Sequence, residues 1–502
     1  MPVLDAAAQG FWLVFSWPNI LYPTIATLAA MIFSFLPGLS GVTLMALAIS
    51  LTFSWDPLHI MLIFGAFTGG STFMGSITAI LFNIPGTAPS AATLLDGHPM
   101  AKQGKAMTAI GCAASASALG STIGVLVLIL LLPVLRSLIL SFGPAEFLML
   151  SIWGLATIAS LTGRSLLKGL TMAGVGLLLA FVGLDRRTAE PRFTLGIDQL
   201  QDGLNVIPVF LGVFAIAQML ELSARKDRAI SEGVVLSGNL WEGVLAPFQH
   251  FGLLLRSSLI GSVVGMIPAV GGTVASFLAY GQAVATSRDR SGFGHGDIRG
   301  VIAPEAAHDA KDGGSLAPTL AFGIPGSEGT AVLLAALTLH GFVPGPSLLK
   351  EQLPMAFALI WSLFYSNWLT SLLGLAIARP LARISSLPTG QLAPMILIFA
   401  VLGAYMQQGR FSDVVIAFAF GWAGYHLKQH GWPLVPMVTA LVLGPLFEAN
   451  LHLTTALTQA GRIHFFARPI AWLLFISMIL MFAWPGLRSL PARARGVGSR
   501  PS

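Results

Sequence analysis

Glu305, His308 and Asp309 fall within one helical turn. Spacings of three and four residues put them on one helix face. Two carboxylates and an imidazole so placed could hold a cation or carry a proton. Metal ligation has little support, because His308-Asp309 lacks the spacing of an HExxH-type site. Glu328 comes next, just after an Ile-Pro-Gly-Ser break. All four belong to the passage APEAAHDAKDGGSLAPTLAFGIPGSEGTA (303–331), which also carries Lys311 and Asp312. Charges within a membrane are costly, so embedded ones tend to line pathways. The alternative is a cytoplasmic loop continuous with SRDRSGFGHGDIRG (287–300). Glu305, His308, Asp309 and Glu328, together with Asn83, are the candidate ion-coupling residues.

The helix breakers supply a second chemistry. Proline removes a backbone donor and glycine relaxes the helix, so Ile-Pro-Gly-Thr/Ser ends one helix and can start another. Phe82-Asn83-Ile84-Pro85-Gly86-Thr87 returns 240 positions later as Phe322-Gly323-Ile324-Pro325-Gly326-Ser327. Upstream, Leu36-Pro37-Gly38-Leu39-Ser40-Gly41-Val42-Thr43 is matched by Ile267-Pro268-Ala269-Val270-Gly271-Gly272-Thr273-Val274. The order is kept, with 48 residues from Pro37 to Pro85 and 57 from Pro268 to Pro325, so the chain reads as a duplication. Whether the repeats are parallel or inverted stays open.

Paired Gly/Pro interruptions of apolar segments point to a transporter binding site. The positive end of a half-helix can hold a carboxylate, and hydroxyls can add donors. The candidate substrate contacts are Gly38, Ser40, Thr43, Asn83, Pro85, Gly86, Thr87, Ser90, Gly271, Gly272, Thr273, Pro325, Gly326, Ser327 and Thr330. Exposed carbonyls and Asn83 could also hold a sodium ion. The bland alternative is that Pro-Gly makes only kinks and tight packing.

The elements that must carry these residues follow from composition. Of 502 residues, 55% are hydrophobic and 10% charged, too few charges to cover a soluble protein of this size. Residues 6–55 contain no Asp, Glu, Lys or Arg. As one helix they would run roughly 75 Å, against a hydrocarbon core of about 30 Å, so the chain must fold back. Trp17-Pro18 and Leu36-Pro37-Gly38 are the natural breaks.

The expected class is an all-α polytopic membrane protein with about ten to twelve transmembrane helices, in two related halves with broken or re-entrant segments. Embedded segments are expected at 12–34, 39–54, 58–82, 106–134, 144–161, 167–184, 203–222, 254–280, 313–338, 354–380, 392–408, 412–428, 433–447 and 467–486. The first half is 12–222, a polar linker 223–240, the second half 241–486, and a basic tail, expected to be cytoplasmic, 487–502. Cys112, the single cysteine, reads as inert packing. Asp96-Gly97-His98-Pro99 reads as a loop, and Glu448 with Asn450 as a polar helix cap. The formal charge of +6 fits basic loops beside a cytoplasmic leaflet. No basic-aromatic pattern for nucleic acid is present.

On these residues the chain resembles the TctA family, the large membrane subunit of tripartite tricarboxylate transporters. The resemblance covers roughly 12–486. Its strongest parts are GGSTFMGSITAILFNIPGTAPSAATLLDGHPMAKQGKA (69–106), GSVVGMIPAVGGTVASFLAY (261–280) and FGHGDIRGVIAPEAAHDAKDGGSLAPTLAFGIPGSEGTAVLLAALTLHGFVPGP (293–346). It implies a bacterial inner-membrane permease with two partners. One is a small four-helix membrane subunit (TctB-like). The other is a periplasmic solute-binding protein (TctC-like) that delivers a carboxylate or related organic anion. It further implies symport driven by an ion gradient, commonly sodium, with no cofactor, and the chain has no P-loop. Three departures stand out. The family usually has Asn-Asn where this chain has His308-Asp309. Ala269 replaces a glycine of Pro-Gly-x-Gly-Gly, and Ala279-Tyr280 stands for Ser-Tyr. The first departure raises proton coupling or an atypical substrate.

Two rival classes can be named. Gly38-Leu39-Ser40-Gly41 fits the G-x-S-G of rhomboid-type intramembrane proteases, but its repeated partner, Val270-Gly271-Gly272-Thr273, has no serine. An ion channel would need rings of ligands, usually from oligomers.

Overall fold

The computed structural model describes residues 3–35, 41–52, 54–83, 85–139, 141–161, 165–185, 187–224, 237–268, 270–384, 392–406, 409–462 and 468–480. The chain is almost wholly helical. The first half contains α1 (Val3–Phe15), α2 (Leu21–Phe35), α3 (Gly41–Leu51), α4 (Pro57–Gly70), α5 (Thr72–Phe82), α6 (Ser90–Met100), α7 (Ala106–Ile139), α8 (Pro144–Leu161) and α9 (Leu166–Ala180). A two-residue antiparallel pair follows, β1 (Gly183–Leu184) and β2 (Pro191–Arg192). Then come α10 (Val206–Phe210) and α11 (Ala217–Ala224), joined by a π-helical turn. The second half contains α12 (Leu240–Gln249), α13 (Phe251–Met266), α14 (Gly271–Thr286), α15 (Arg299–Phe322), α16 (Glu328–Leu339), α17 (Pro346–Glu351), α18 (Leu353–Ile384), α19 (Leu392–Met406), α20 (Phe411–Gln429), α21 (Val435–Gln459) and α22 (Pro469–Leu480).

Among the described residues, four stretches are long and apolar enough to cross a membrane alone: 57–82, 90–138, 353–378 and 435–459. Shorter apolar helices make up most of the rest, because Gly and Pro divide the apolar sequence. The outer face agrees with lipid. On α7, Leu126, Leu130 and Val134 are exposed, as are Val274, Phe277 and Leu278 on α14. A lipid-facing surface leaves such side chains outside while the polar groups turn inward.

Several expected boundaries shift. The stretch 12–34 divides at Trp17-Pro18 into α1 and α2, as the proline suggested. The segment 254–280 is two helices, α13 and α14, broken at Ile267–Val270. The expected segment 313–338 also divides, since α15 begins at Arg299 and ends before the Ile-Pro-Gly break. The span expected to stop at 447 continues through Pro445 to Gln459. Asp96-Gly97-His98-Pro99 is not a loop. It lies in α6, with Asp96 and His98 buried. Glu448 is not a cap either: it sits within α21 and pairs with Arg192 at 2.6 Å, and Arg192 also reaches Asp185 at 3.1 Å. Those bonds pin the β1–β2 hairpin to α21. The linker residues 225–236 and the tail from 481 lie outside the described residues.

At the centre stands α15, buried along nearly its whole length. Small residues on its neighbours make that possible. A side-chain carbon at Gly120 or Gly124 of α7 would lie 2.4 or 2.5 Å from the carbonyls of Ala306 and Ala310. At Gly261 or Gly265 of α13 it would lie 2.3 Å from those of Ala307 and Lys311. Two small residues four apart let membrane helices approach to backbone contact. The same device joins α4 to α18, where Gly65 and Gly69 face the carbonyls of Leu359 and Leu363. On α18, Ser362, Ser366 and Thr370 donate to the carbonyls of Leu62, Ala66 and Gly70. Thus each half lends its long helix to the other's central helix: α18 packs on α4, and α7 packs on α15.

The loop just ahead of α15 is held from the first half. Asp96 of α6 accepts the N–H groups of Gly296 and Asp297 at 2.9 Å each, and the hydroxyl of Tyr280 at 2.9 Å. A carboxylate there satisfies donors just ahead of a helix N-terminus and suits its dipole. Gly300 leaves the space, since a side-chain carbon would lie 2.0 Å from Asp96 Oδ2.

Two predictions follow from this packing. Gly120→Val and Gly261→Val force side chains into backbone carbonyls, so each should cost roughly 1–3 kcal/mol. Thermal unfolding in detergent should show both melting below wild type, whereas Gly174→Ala, with open space around it, should not. Asp96→Asn should loosen the 287–298 loop. Charge-assisted hydrogen bonds contribute about 1.5–3 kcal/mol, so trypsin cleavage at Arg288 and Arg290 should speed up about tenfold or more. Unchanged cleavage would show that Asp96 does not hold the loop.

Candidate functional site

The helix ends ahead of the two Ile-Pro-Gly motifs are built alike. Asn83 ends α5 with φ 58° and ψ 25°, and Gly323 ends α15 with φ 68° and ψ 22°. Both adopt the left-handed conformation that stops a helix, which asparagine tolerates better than most side chains. Gly86 then packs on Gly75 and the carbonyl of Ser34, while Gly326 packs on Ser315 and the carbonyl of Gly265. Gly75 and Ser315 are 240 positions apart, like the two turns themselves. Ser34 and Gly265 are 231 apart, like Pro37 and Pro268. The offsets read from the motifs therefore recur in the contacts.

The hydroxyls mostly serve the turns. Ser90 donates to the carbonyl of Thr87 at 2.7 Å. Ser327 and Thr330 form a reciprocal capping box at the start of α16. Such caps satisfy the free N–H groups of a helix start. The Thr87 hydroxyl has no hydrogen-bond partner among the described residues. The turns differ in exposure: Asn83 and Pro85 are open, whereas Pro325 and Gly326 are buried.

The second pair of motifs is seen in part. Gly38 and Ser40 lie outside the described residues. Thr43 is buried in α3 and donates to the carbonyl of Phe214 at 3.3 Å, so it faces the π-helical turn rather than α15. Gly271 starts α14 with φ 71°, and Thr273 is half-buried beside it. A side-chain carbon at Gly272 would lie 2.9 Å from Pro89, 2.9 Å from Lys311 Cε and 3.2 Å from His308. So the start of α14, the start of α6 and the middle of α15 meet at Gly272.

The charged passage is α15 and no loop: Glu305 and Asp309 are 0% exposed, Asp312 1% and His308 4%. Glu305 and Asp309 have partners from other helices. Glu305 accepts from Ser76 of α5 at 2.6 Å and from Thr93 of α6. Asp309 accepts from Ser117 of α7 and from the amide of Asn367 of α18 at 3.0 Å. Asp312 is paired with Lys311. The buried polar atoms without a hydrogen-bond partner among the described residues include Glu305 Oε2, His308 Nδ1, Asp312 Oδ2 and Asn367 Oδ1 here, and others elsewhere, such as those of Asp413, Thr439 and Thr454. Buried polar atoms are rarely left so in a finished core. Glu328 stands apart as an exposed residue opening α16, within electrostatic reach of Lys311 and Lys428.

The carboxylates and hydroxyls form an oxygen-rich stripe through apolar helices. Oxygen ligands of this kind suit a hard cation. A second cluster, Asp185, Glu448 and His452, has ligand atoms within 4.8 Å of one another, but Arg192 already supplies its counter-charge. Ser76, Thr93, Ser117 and Asn367 are not marked by any motif, and Lys311 and Asp312 belong to the charged passage without a role assigned from it. Asn367 left one usable signal, a lone amide in the apolar run 353–378.

Comparison with known proteins agrees with this architecture. The family model described as the tripartite tricarboxylate transporter TctA family matches residues 20–439. One relative from Agrobacterium vitis, described as an uncharacterized 52.8 kDa protein in the TAR-I ttuC' 3' region, is 32% identical over 97% of this chain and 98% of its own. Another from the same organism, described as an uncharacterized protein in the TAR-II ttuC' 3' region, is 32% identical over 46% of this chain and 96% of its own. No solved structure matches. With its paired helix breaks and a family match across most of its length, the chain belongs to the TctA family of tripartite tricarboxylate transporters.

Proposed function

We propose that this chain is the permease subunit of a binding-protein-dependent secondary transporter that imports a di- or tricarboxylate, or a related organic anion, across the bacterial inner membrane. The observation that carries the reading is the pair of helix breaks, Asn83–Ser90 and Gly323–Thr330, beside a buried helix of acids. The breaks aim helix N-termini and backbone N–H groups at an anion. In this reading Asn83, Pro85, Gly86, Thr87 and Ser90 form one wall of the substrate site. Gly271, Gly272, Thr273, Pro325, Gly326, Ser327 and Thr330 form the other.

Glu305 and Asp309 would hold the coupling cation, with His308 and Glu328 shaping the field around it. Sodium is the favoured ion, because Glu305 Oε2 and Asn367 Oδ1 offer free oxygen ligands next to hydroxyls. A TctB-like small membrane subunit and a TctC-like binding protein would complete the system, and the basic tail would lie in the cytoplasm. Proton coupling is the second reading. It is favoured by Asp309, a buried acid where the resembled family usually has an amide.

Uptake of labelled citrate, malate and succinate into proteoliposomes holding this chain and its two partners tests the proposal. Sodium and proton gradients are imposed separately. The expected result is saturable, binding-protein-dependent uptake driven by sodium, reduced at least about tenfold in Asp309→Asn, the loss of roughly one charged interaction. Proton-driven uptake lost in the same variant would reassign the ion. Uptake unaffected by Asp309→Asn would remove Asp309 from coupling.

A further inference from the structure

Lys311 belongs to none of the candidate sites read from the sequence, yet it stands where they meet. Its side chain passes the start of α14 at Gly272, beside Pro89 at the start of α6. It is largely buried, 13% exposed, and its ammonium is paired with Asp312, 1% exposed. His308 lies on the same side of Gly272, and its Nδ1 has no partner among the described residues. Asp312 spends one oxygen on Lys311, its Oδ2 makes no hydrogen bond of ordinary geometry, and the Thr72 hydroxyl of α5 acts on the same carboxylate. Glu328 adds negative charge within electrostatic reach.

Resting on the transporter reading above, we propose that Lys311 is the cationic group that binds a carboxylate of the transported anion, and that its pair with Asp312 is the element that couples anion to cation. The logic is charge balance. A buried charge without a partner is strongly unfavourable, so neither Lys311 nor Asp312 can be released alone. An incoming carboxylate can take the ammonium only if Asp312 gains another cation. A sodium ion can take Asp312 only if the ammonium gains another anion. One buried pair thus becomes two, the engaged substrate carboxylate with Lys311 and, with Asp312, a sodium ion additional to the cation proposed at Glu305 and Asp309, so the charge of that carboxylate is matched by the charge of the ion. The Oδ2 of Asp312 supplies a second oxygen for the ion. His308 Nδ1 can meet a further substrate oxygen. Coupling in this scheme needs no long path, because both ligands compete for the two ends of one salt bridge.

The test measures binding of ²²Na⁺ and of labelled citrate, malate and succinate to the full chain with its small membrane subunit in lipid nanodiscs. In wild type, a saturating anion should tighten sodium binding by about tenfold or more, and saturating sodium should tighten the anion by the same factor, as linkage requires. Lys311→Gln should abolish anion binding and leave sodium binding, now insensitive to anion, at least as tight as before. Lys311→Arg should retain anion binding. Asp312→Asn should keep anion binding but bring the coupling factor to about one. An undiminished coupling factor in Lys311→Gln or Asp312→Asn would overturn this inference while leaving the transporter reading intact. A wild type that binds none of the three anions, and shows no uptake with its partners, would overturn both.

Discussion

The rest of the structure depends on one constraint: α15 carries ionisable groups through the protein interior. A buried carboxylate needs hydrogen bonds or counter-charge, and a buried helix needs neighbours that come close on every side. Both demands are met by the same few helices. Gly120, Gly124, Gly261 and Gly265 bring α7 and α13 to the backbone of α15. At that distance even short side chains reach. Ser117 can touch Asp309 because the glycine three residues on lets the helices nearly meet. Glycine spacing and acid satisfaction are therefore one design, and a bulkier contact would loosen both.

How much of this was legible in the sequence varies by residue. The membrane class followed from composition. The Ile-Pro-Gly-Thr/Ser motifs read as helix breaks, and the helices ahead of them end in left-handed caps at Asn83 and Gly323. Glu305, His308 and Asp309 were picked out by spacing on a helix face, although local reading left loop and helix both open. What decides between them is non-local: acids can be buried at 305, 309 and 312 only because hydroxyls and an amide arrive from four other helices. Serine and threonine are ordinary in membrane helices, so Ser76, Thr93 and Ser117 gave no signal in one dimension. Asp96 was misread for the related reason that Gly-His-Pro resembles a turn. Its carboxylate is in fact spent on the loop ahead of α15, 200 positions away.

The two motif-matched stretches also differ in what they carry. Shifting α15 back by the 240-residue offset aligns Glu305 with Gly65, Asp309 with Gly69 and Asp312 with Thr72. In the first stretch those positions are small, and Gly65 and Gly69 meet the carbonyls of α18. In the second stretch the matched positions carry the charges. Asn367 joins the two: its backbone N–H side lies near Gly69, while its side chain donates to Asp309. The stretch that packs most tightly cannot hold side-chain chemistry at these positions, because glycine is what the packing requires. The charged stretch is released from that demand, since its partner helices supply the glycines instead.

The helix ends ahead of the two breaks are alike in backbone, but the breaks differ in exposure. Asn83 and Pro85 are open, while Pro325 and Gly326 are covered by α13 and by α15 itself. At Gly326 the cover is the carbonyl of Gly265 on α13 and Ser315 on α15. The α13–α15 contact is made of glycines against carbonyls, with Ser262 reaching the Ala310 carbonyl only at 3.4 Å. Interlocked large side chains resist sliding because they must leave their rotamer wells. A glycine face has no such teeth. The glycines that let α15 be buried thus leave the facing surface of α13 without interlocking side chains, and the polar groups of α15 lie beneath it.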